Sequence, residues 1–286
     1  MSVSGKGTLY VVATPIGNLD DLSPRAAAIL AGADLIAAED TRHSGRLLAH
    51  IGARVALISL HEHNESSRIA RICHELDQGH QVALVSDAGT PLISDPGYRL
   101  IRALREGGYR VVPVPGPSAL VTALCAAGLP TERFLFEGFL PAKGSARRQR
   151  LQALAHQQVT LVCYESPHRI VALLTDIDAV FAERQVVLAR ELTKTFETFL
   201  HGSGAALLAQ LEDDPDQQRG EFVVMIAPAE PIDRGDARTV EGDALLSALL
   251  SEAVGVKQCA AVVARLLGGR KRDWYERAMA LRDSTG

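Results

Sequence analysis

The chain is poor in the residues that crosslink, carry electrons or hold metals. Its four cysteines, Cys73, Cys125, Cys163 and Cys259, stand far apart inside apolar stretches with no CxxC pair. Neither a zinc site nor a dithiol centre is expected, and all four are read as reduced, buried thiols. No apolar run reaches the ~20 residues a bilayer span needs, and MSVSGKGTLY lacks an apolar signal core, so a cytoplasmic protein with no membrane segment is expected. A positive excess is missing too. Lys and Arg number 30 against 34 Asp and Glu, a net charge of −4, which excludes a protein that coats nucleic acid through bulk charge. GxGxxG and GxxxxGK[ST] are both absent, so the familiar dinucleotide and P-loop cradles are excluded. What remains is an ordinary globular chain of 286 residues, 47% hydrophobic and 22% charged, long enough for two domains.

Short β-branched runs, TLYVVAT, DLIAAE, VALISL, QVALVS and YRVVPVP, alternate with helical patterns in the first half. Strands in βα order predict a largely parallel sheet covered on both faces. Apolar residues at helical spacing, Ile69, Ile72, Cys73 and Leu76, then Leu100, Ile101 and Leu104, are read as core. A second α/β unit opens at FLFEGFLP. It continues through VTLVCYES, a helix with Pro167 in its first turn, QVVLARELT, ETFLHG, a helix over Ala205 to Leu211, and GEFVVMIA, with an antiparallel hairpin around Lys194 to Glu197. The predicted organisation is an α/β domain at 1–128, a second at 129–228, a Pro/Gly/Asp linker at 229–240, and a helical subdomain at 241–286. Gly268-Gly269 would be the turn of a helix-turn-helix-like tail.

In open parallel sheets ligands bind beyond the carboxyl ends of the strands. Three Gly/Pro-dense loops fall there: Ala13 to Leu19, Ser86 to Gly97, and Pro115 to Ala119. Each leads into a helix, with Ser94 or Asp95 and then Ser118 as expected caps. Three such loops on one sheet edge point to a binding site, whose ligand need not carry phosphate. His61-Glu62-His63-Asn64-Glu65 lacks the HExxH spacing and a third ligand, so no metal is expected and the segment is read as a polar loop lining the cleft.

The segments ATPIGNLDDLSPRA, AEDTRHSGRLL, LHEHNE, VSDAGTPLISDPG, VPGPSA, YESPHR and RELTK occur in this order. Together they resemble the RsmI family, 16S rRNA 2'-O-ribose cytidine methyltransferases of the tetrapyrrole methylase superfamily. The resemblance runs from Leu9 to Ile226. It implies two α/β domains of tetrapyrrole-methylase type, S-adenosylmethionine in the cleft between them, a homodimer, and 16S rRNA in the small ribosomal subunit as substrate. Carried over by position, it implies cofactor contacts at Pro15, Gly17, Asp87, Ala88, Gly89, Thr90, Ser118, Ala119, Tyr164, Glu165, Leu192 and Glu221 or Phe222.

Removing the proton of a ribose hydroxyl calls for a base. The candidate catalytic residues are Lys194, Asp40 and Arg42, with Glu165 beside them. A lysine must be neutral to act so, and pairing with Glu191 or Glu197 would keep Lys194 charged. Two basic clusters are candidate RNA contacts: Arg147 and Arg148, with Lys143 and Arg150, and then Arg265, Arg270, Lys271 and Arg272. Two alternatives stay open, a methylase of a small molecule such as a tetrapyrrole and a non-catalytic RNA-binding factor.

Overall fold

A computed structural model describes residues 5–61, 64–230, 234–252 and 254–284. Glu62 and His63 of the HEHNE segment, and 231–233 of the expected linker, lie outside the described residues. Residues up to Ala229 form one compact unit and those from Glu230 a second.

The first sheet contains β1 (Thr8–Val12), β2 (Leu35–Ala38), β3 (Ala56–Ser59), β4 (Val82–Val85) and β5 (Arg110–Val114) in the order β3-β2-β4-β1-β5, all parallel. LIAA and VALV are buried along their whole length, as central strands covered on both faces must be. Helices α1 (Pro24–Gly32) and α2 (Thr41–His50) cover one face through Leu30, Leu47 and Leu48. The other is covered by α3 (Glu65–Asp77) and α4 (Tyr98–Glu106) through Ile72, Leu76, Leu100 and Leu104. Strand order reverses between β1 and β4, which opens the crevice that such sheets offer to ligands. There the two following loops are joined by paired backbone bonds: Thr14 N–H donates to Gly89 O at 2.9 Å and Gly89 N–H to Thr14 O at 3.0 Å.

The second sheet contains β6 (Phe134–Phe139), β7 (Thr160–Glu165), β8 (Val186–Arg190), β9 (Thr198–Gly202) and β10 (Phe222–Ile226), ordered β6-β7-β10-β8-β9. Only β6–β7 is parallel; β8 and β9 form the expected hairpin. Helices α6 (Gly144–Leu154), α7 (Ile170–Phe181) and α8 (Gly204–Asp213) bury Leu151, Leu173, Ile177 and Leu207 on one face. The opposite face, with Val162, Val187, Ala189, Val223 and Met225, packs against α5 (Ala119–Ala126) through Leu120, Ala123 and Leu124. That shared apolar layer explains why both sheets belong to one compact unit.

The second unit holds α9 (Arg234–Ser251), α10 (Val256–Leu267) and α11 (Lys271–Ser284) around Leu246, Cys259, Val263 and Trp274. Gly268 (φ 76°) and Gly269 (φ 88°) make the α10–α11 turn in the left-handed region open to glycine, and Trp274 Nε1 donates to Gly268 O at 2.7 Å. Among the described residues, no helix is long and apolar enough to cross a membrane.

Several expectations are corrected. α9 starts at Arg234, inside the stretch read as a linker. Pro167 precedes α7, which begins at Ile170. Neither Ser94 nor Asp95 caps α4: Gly97 (φ 128°) is the boundary residue, and the buried Glu65 carboxylate accepts from Leu100 N–H at 2.8 Å instead. Ser118 precedes α5 without a side-chain cap bond. Cys163 and Cys259 are buried, whereas Cys73 is half-buried and Cys125 exposed.

Candidate active site

The three Gly/Pro loops of the first sheet and the β7, β8 and β10 ends of the second enclose a cavity of about 500 Å³. Ile16, Asp87 to Thr90, Ser118 and Ala119 line it from the first half; Tyr164, Glu165, Ala189, Leu192, Glu221 and Phe222 line it from the second. Pro15 and Gly17 flank Ile16 without lining the cavity themselves. Sequence reasoning missed Glu39, Ile93, Ser94, Asp95, Phe139, Ser166 and Pro167, all part of the lining.

Among the described residues five carboxylates, Glu39, Asp87, Asp95, Glu165 and Glu221, line the cavity, and no Lys, Arg or His does. The field inside is therefore negative and suits a cationic ligand. Asp87 is oriented by Asp40, whose N–H donates to Asp87 Oδ1 at 2.9 Å. Glu165 is buried; its Oε1 accepts from Ser166 N–H at 2.8 Å and faces Arg169 Nε at 3.0 Å, while Oε2 has no hydrogen-bond partner. Burial raises the carboxyl pKa of Asp95 to about 6, partly opposed by a Ser86 hydrogen bond and reinforced by Glu39 and Asp87.

Aromatic groups form one wall. Tyr164 accepts Leu120 N–H on its hydroxyl at 3.1 Å, and burial pushes its pKa up. Its ring stacks edge-on with Phe136 and Phe139, at 4.9 and 5.8 Å between centroids. Phe139 is 56% exposed, turned to the cavity by a register shift in β6 between Phe136 and Phe139, where Gly138 has φ 60°.

Two walls carry backbone strain. Leu92 (φ 74°) and Ser94 (φ 68°) lie in the loop after β4; Glu191 (φ 50°) and Thr193 (φ 64°) lie in the loop after β8. Left-handed conformations at such residues persist only where surroundings impose them. The β8 loop is held by buried Arg190, which donates to the carbonyls of Arg219, Phe196 and Asp216 at 2.6, 3.1 and 2.9 Å.

The three candidate catalytic residues lie outside the lining. Lys194 Nζ binds Glu191 Oε1 at 2.8 Å and Glu221 Oε2 at 3.0 Å. Burial works against its charge, but these two bonds outweigh it and raise its pKa above the ordinary value, so Lys194 is held as an ammonium and the base reading is corrected. Asp40 caps α2 by accepting from Arg42 N–H at 2.8 Å, and pairs with the Arg42 guanidinium at 2.7 Å. The side-chain bond to Arg42 holds its carboxyl well below the usual range, which makes it a poor base. Arg42 is 89% exposed.

The first basic cluster is corrected as well. Arg147 is buried, its Nε 2.7 Å from Asp176 Oδ2; Arg148 meets the same carboxylate at 3.1 Å, and Arg150 pairs with Glu137 at 2.7 Å. Arg147 is thus a core ion pair, not an RNA contact. In the second unit Arg270 pairs with Asp273 and Arg272 with Glu276, leaving exposed Arg265 and Lys271 without acidic partners among the described residues. Of the HEHNE segment, His61, Asn64 and Glu65 do not line the cavity. Asn64 Oδ1 accepts His61 N–H at 2.9 Å and its Nδ2 donates to Ser59 O at 3.2 Å, a turn-forming role.

Residues 8–208 match the family model of Tetrapyrrole (Corrin/Porphyrin) Methylases, and residues 236–282 match the RsmI C-terminal HTH domain. The chain is 51% identical over 274 residues to the ribosomal RNA small subunit methyltransferase I of Xylella fastidiosa, covering 96% of this chain and 99% of that one. It is 51% identical to the protein of the same name from Pseudomonas aeruginosa, covering 96% and 97%. Among solved structures, cobalt precorrin-4 methyltransferase CbiF aligns with TM-score 0.59 at 16% identity over 77% of this chain and 94% of that one. The methyltransferase CobJ aligns with TM-score 0.58 at 21% identity over 79% and 95%, a likeness of fold.

Proposed function

Because the chain belongs to the tetrapyrrole methylase family, and within it groups with the rRNA small subunit methyltransferases I, we propose that it methylates small-subunit rRNA. The finer reading is S-adenosylmethionine-dependent methylation of a cytidine 2'-hydroxyl in 16S rRNA, on the assembled small subunit, by a cytoplasmic homodimer. The observation that carries it is the cavity, lined among the described residues by five carboxylates and no cationic side chain. S-adenosylmethionine brings an ammonium and a sulfonium, and buried charges need opposite partners. The unpartnered Glu165 Oε2 is a buried acceptor that a cationic or N–H donor group would satisfy. The residues present therefore fit this cofactor.

Asp87, oriented by the Asp40 N–H, and Glu165 are the anionic anchors in this reading. Backbone groups of Asp87 to Thr90 and of Ser118 and Ala119 take the nucleoside, next to Tyr164 and Leu192. When bound, the sulfonium supplies an electrophilic methyl group. The chain's own part is to exclude water and align the acceptor hydroxyl, which alone accounts for much of a displacement's acceleration. Exposed Arg265 and Lys271, without acidic partners among the described residues, serve RNA phosphates.

The test is mass spectrometry of 16S rRNA nucleosides with and without the protein, with tritium transfer from labelled S-adenosylmethionine to subunits and to free 16S rRNA. One 2'-O-methylcytidine lost without the protein is expected, with subunits the better acceptor. Cofactor binding without transfer to any RNA would favour a non-catalytic factor.

A further inference from the structure

We infer that Asp95 is the catalytic base of this site, the carboxylate that takes the proton from the attacking ribose hydroxyl. The inference rests on the methyl-transfer reading above and assigns its proton.

Three of the other four carboxylates around the cavity are committed. Asp87 Oδ1 accepts from Asp40 N–H, Glu165 Oε1 accepts from Ser166 N–H and faces Arg169, and Glu221 pairs with Lys194. A carboxylate beside a cation is a weak base. Among the described residues Asp95 has no cationic partner. The groups that face it are the Ser86 hydroxyl and Asp87 after β4, Glu39 after β2, and Tyr164 on β7. It sits on the loop bent through the left-handed Leu92 and Ser94. The same loop reaches the second sheet, since a β-carbon on Gly138 of β6 would lie 3.1 Å from Ser94 Oγ. Strain and this close approach hold Asp95 at the wall of the cavity.

Its surroundings also set its basicity. Burial, then the negative Glu39 and Asp87, leave it with a pKa of about 6, ionised at neutral pH yet far more basic than Asp40. In the step, the hydroxyl O–H bond breaks, its proton passes to Asp95, its electron pair forms the new O–C bond, and the C–S pair stays on sulfur as a neutral thioether.

The experiment compares the full-length wild type with Asp95→Asn. Single-turnover transfer to small subunits should rise through pH about 6 and then level in the wild type. The variant should be slower by about 10² to 10⁴-fold, without that inflection, while its S-adenosylmethionine affinity by calorimetry falls by far less than the rate, the loss being that of one of five carboxylates around the cation. Two readouts need no turnover. In carbon NMR of the cofactor-free protein, a carboxyl resonance should titrate near 6 and be missing from the variant. Because the folded pKa lies above the ordinary 3.8, the stability linked to this group is present below about pH 4 and lost as pH rises through about 6. Asp95→Asn should therefore melt higher than wild type at pH 8, with a gap that closes toward pH 5. Unchanged turnover, or a rate loss matched by lost affinity, would overturn the assignment. A wild-type protein that leaves no methyl on any ribose would overturn the underlying reading instead, whatever Asp95 titrates at.

Discussion

Replacing Asp176 by Asn leaves the Arg147 guanidinium buried without its counter-charge. Both side chains are nearly inaccessible, 7% and 6% exposed, and Arg147 Nε lies 2.7 Å from the carboxylate. Breaking such a pair from one side costs about 3 to 5 kcal/mol, because the charge left behind is not resolvated. Arg148, 53% exposed, adds little, since water screens it. For a unit of this size each kcal/mol shifts the melting temperature by about 2 to 4 °C, so a drop of about 6 to 20 °C is expected. Arg147→Met should fall by a similar amount, and the double variant Arg147→Met with Asp176→Leu should recover most of the loss, as apolar replacement of buried pairs generally does. Differential scanning fluorimetry reads all three. If instead Arg147 serves RNA, Arg147→Met would melt normally and flatten the salt dependence of subunit binding; that result would refute the core-pair argument.

The remaining expectations are briefer. Asp40→Ala should loosen the start of α2 by removing its cap bond to Arg42 N–H; the main-chain N–H that holds Asp87 stays, so the cofactor Kd should rise only as far as that loop shifts, and more than the single-turnover rate at saturation falls. Since Asp40's folded pKa lies below its ordinary 3.8, its stabilisation is present above about pH 4 and lost as pH falls further, so wild type and variant should melt closer together in acid. Neutralising Arg265, Arg270, Lys271 and Arg272 together should flatten the log affinity against log salt slope by about 1.5, close to two phosphate contacts, because Arg270 and Arg272 are already paired with Asp273 and Glu276 of α11. A change near four contacts would show that those pairs open on RNA.

The parallel sheet was legible because its strands carry their burial in sequence: LIAA and VALV have no polar alternation, and only a strand covered twice can afford none. The Gly/Pro loops were legible for a related reason, since chain direction places them at one sheet edge. What could not be read were properties conferred by distant residues. The Lys143 to Arg150 run has no acid within it, yet Asp176 on α7 and Glu137 on β6 neutralise three of its arginines. Asp95 reads as a helix cap until the fold brings Glu39 and Asp87 beside it, while the capping bond comes from Glu65, 35 positions away. Phe139 reaches the cavity only because β6 shifts register, which the segment FLFEGF does not announce.

The contact between the β1 and β8 loops gives a last test of how the cavity is held. A β-carbon on Gly17 would lie 2.5 Å from Lys194 Cγ, 2.8 Å from Thr193 Oγ1 and 2.9 Å from Leu192 O. Lys194 can swing aside, but the carbonyl cannot without moving its peptide. The β1 loop has little freedom, because Thr14 and Gly89 exchange two backbone bonds. The β8 loop must therefore yield, losing the Asn18 N–H bond to Thr193 Oγ1 at 3.1 Å and displacing Leu192, which lines the cavity and belongs to the same apolar cluster as Ile16. Overpacking of this kind costs about 1 to 3 kcal/mol. If that cost falls on the closed cavity, the S-adenosylmethionine Kd of Gly17→Ala should rise about 5- to 150-fold, with Lys194 and Glu221 still paired but shifted. Gly45→Ala is the control: a β-carbon there meets open space on α2, and alanine is the better helix former, so melting should hold or rise with Kd unchanged. A Gly17→Ala protein that binds the cofactor as tightly as wild type would mean that Leu192 and the β8 loop take no part in closing the site.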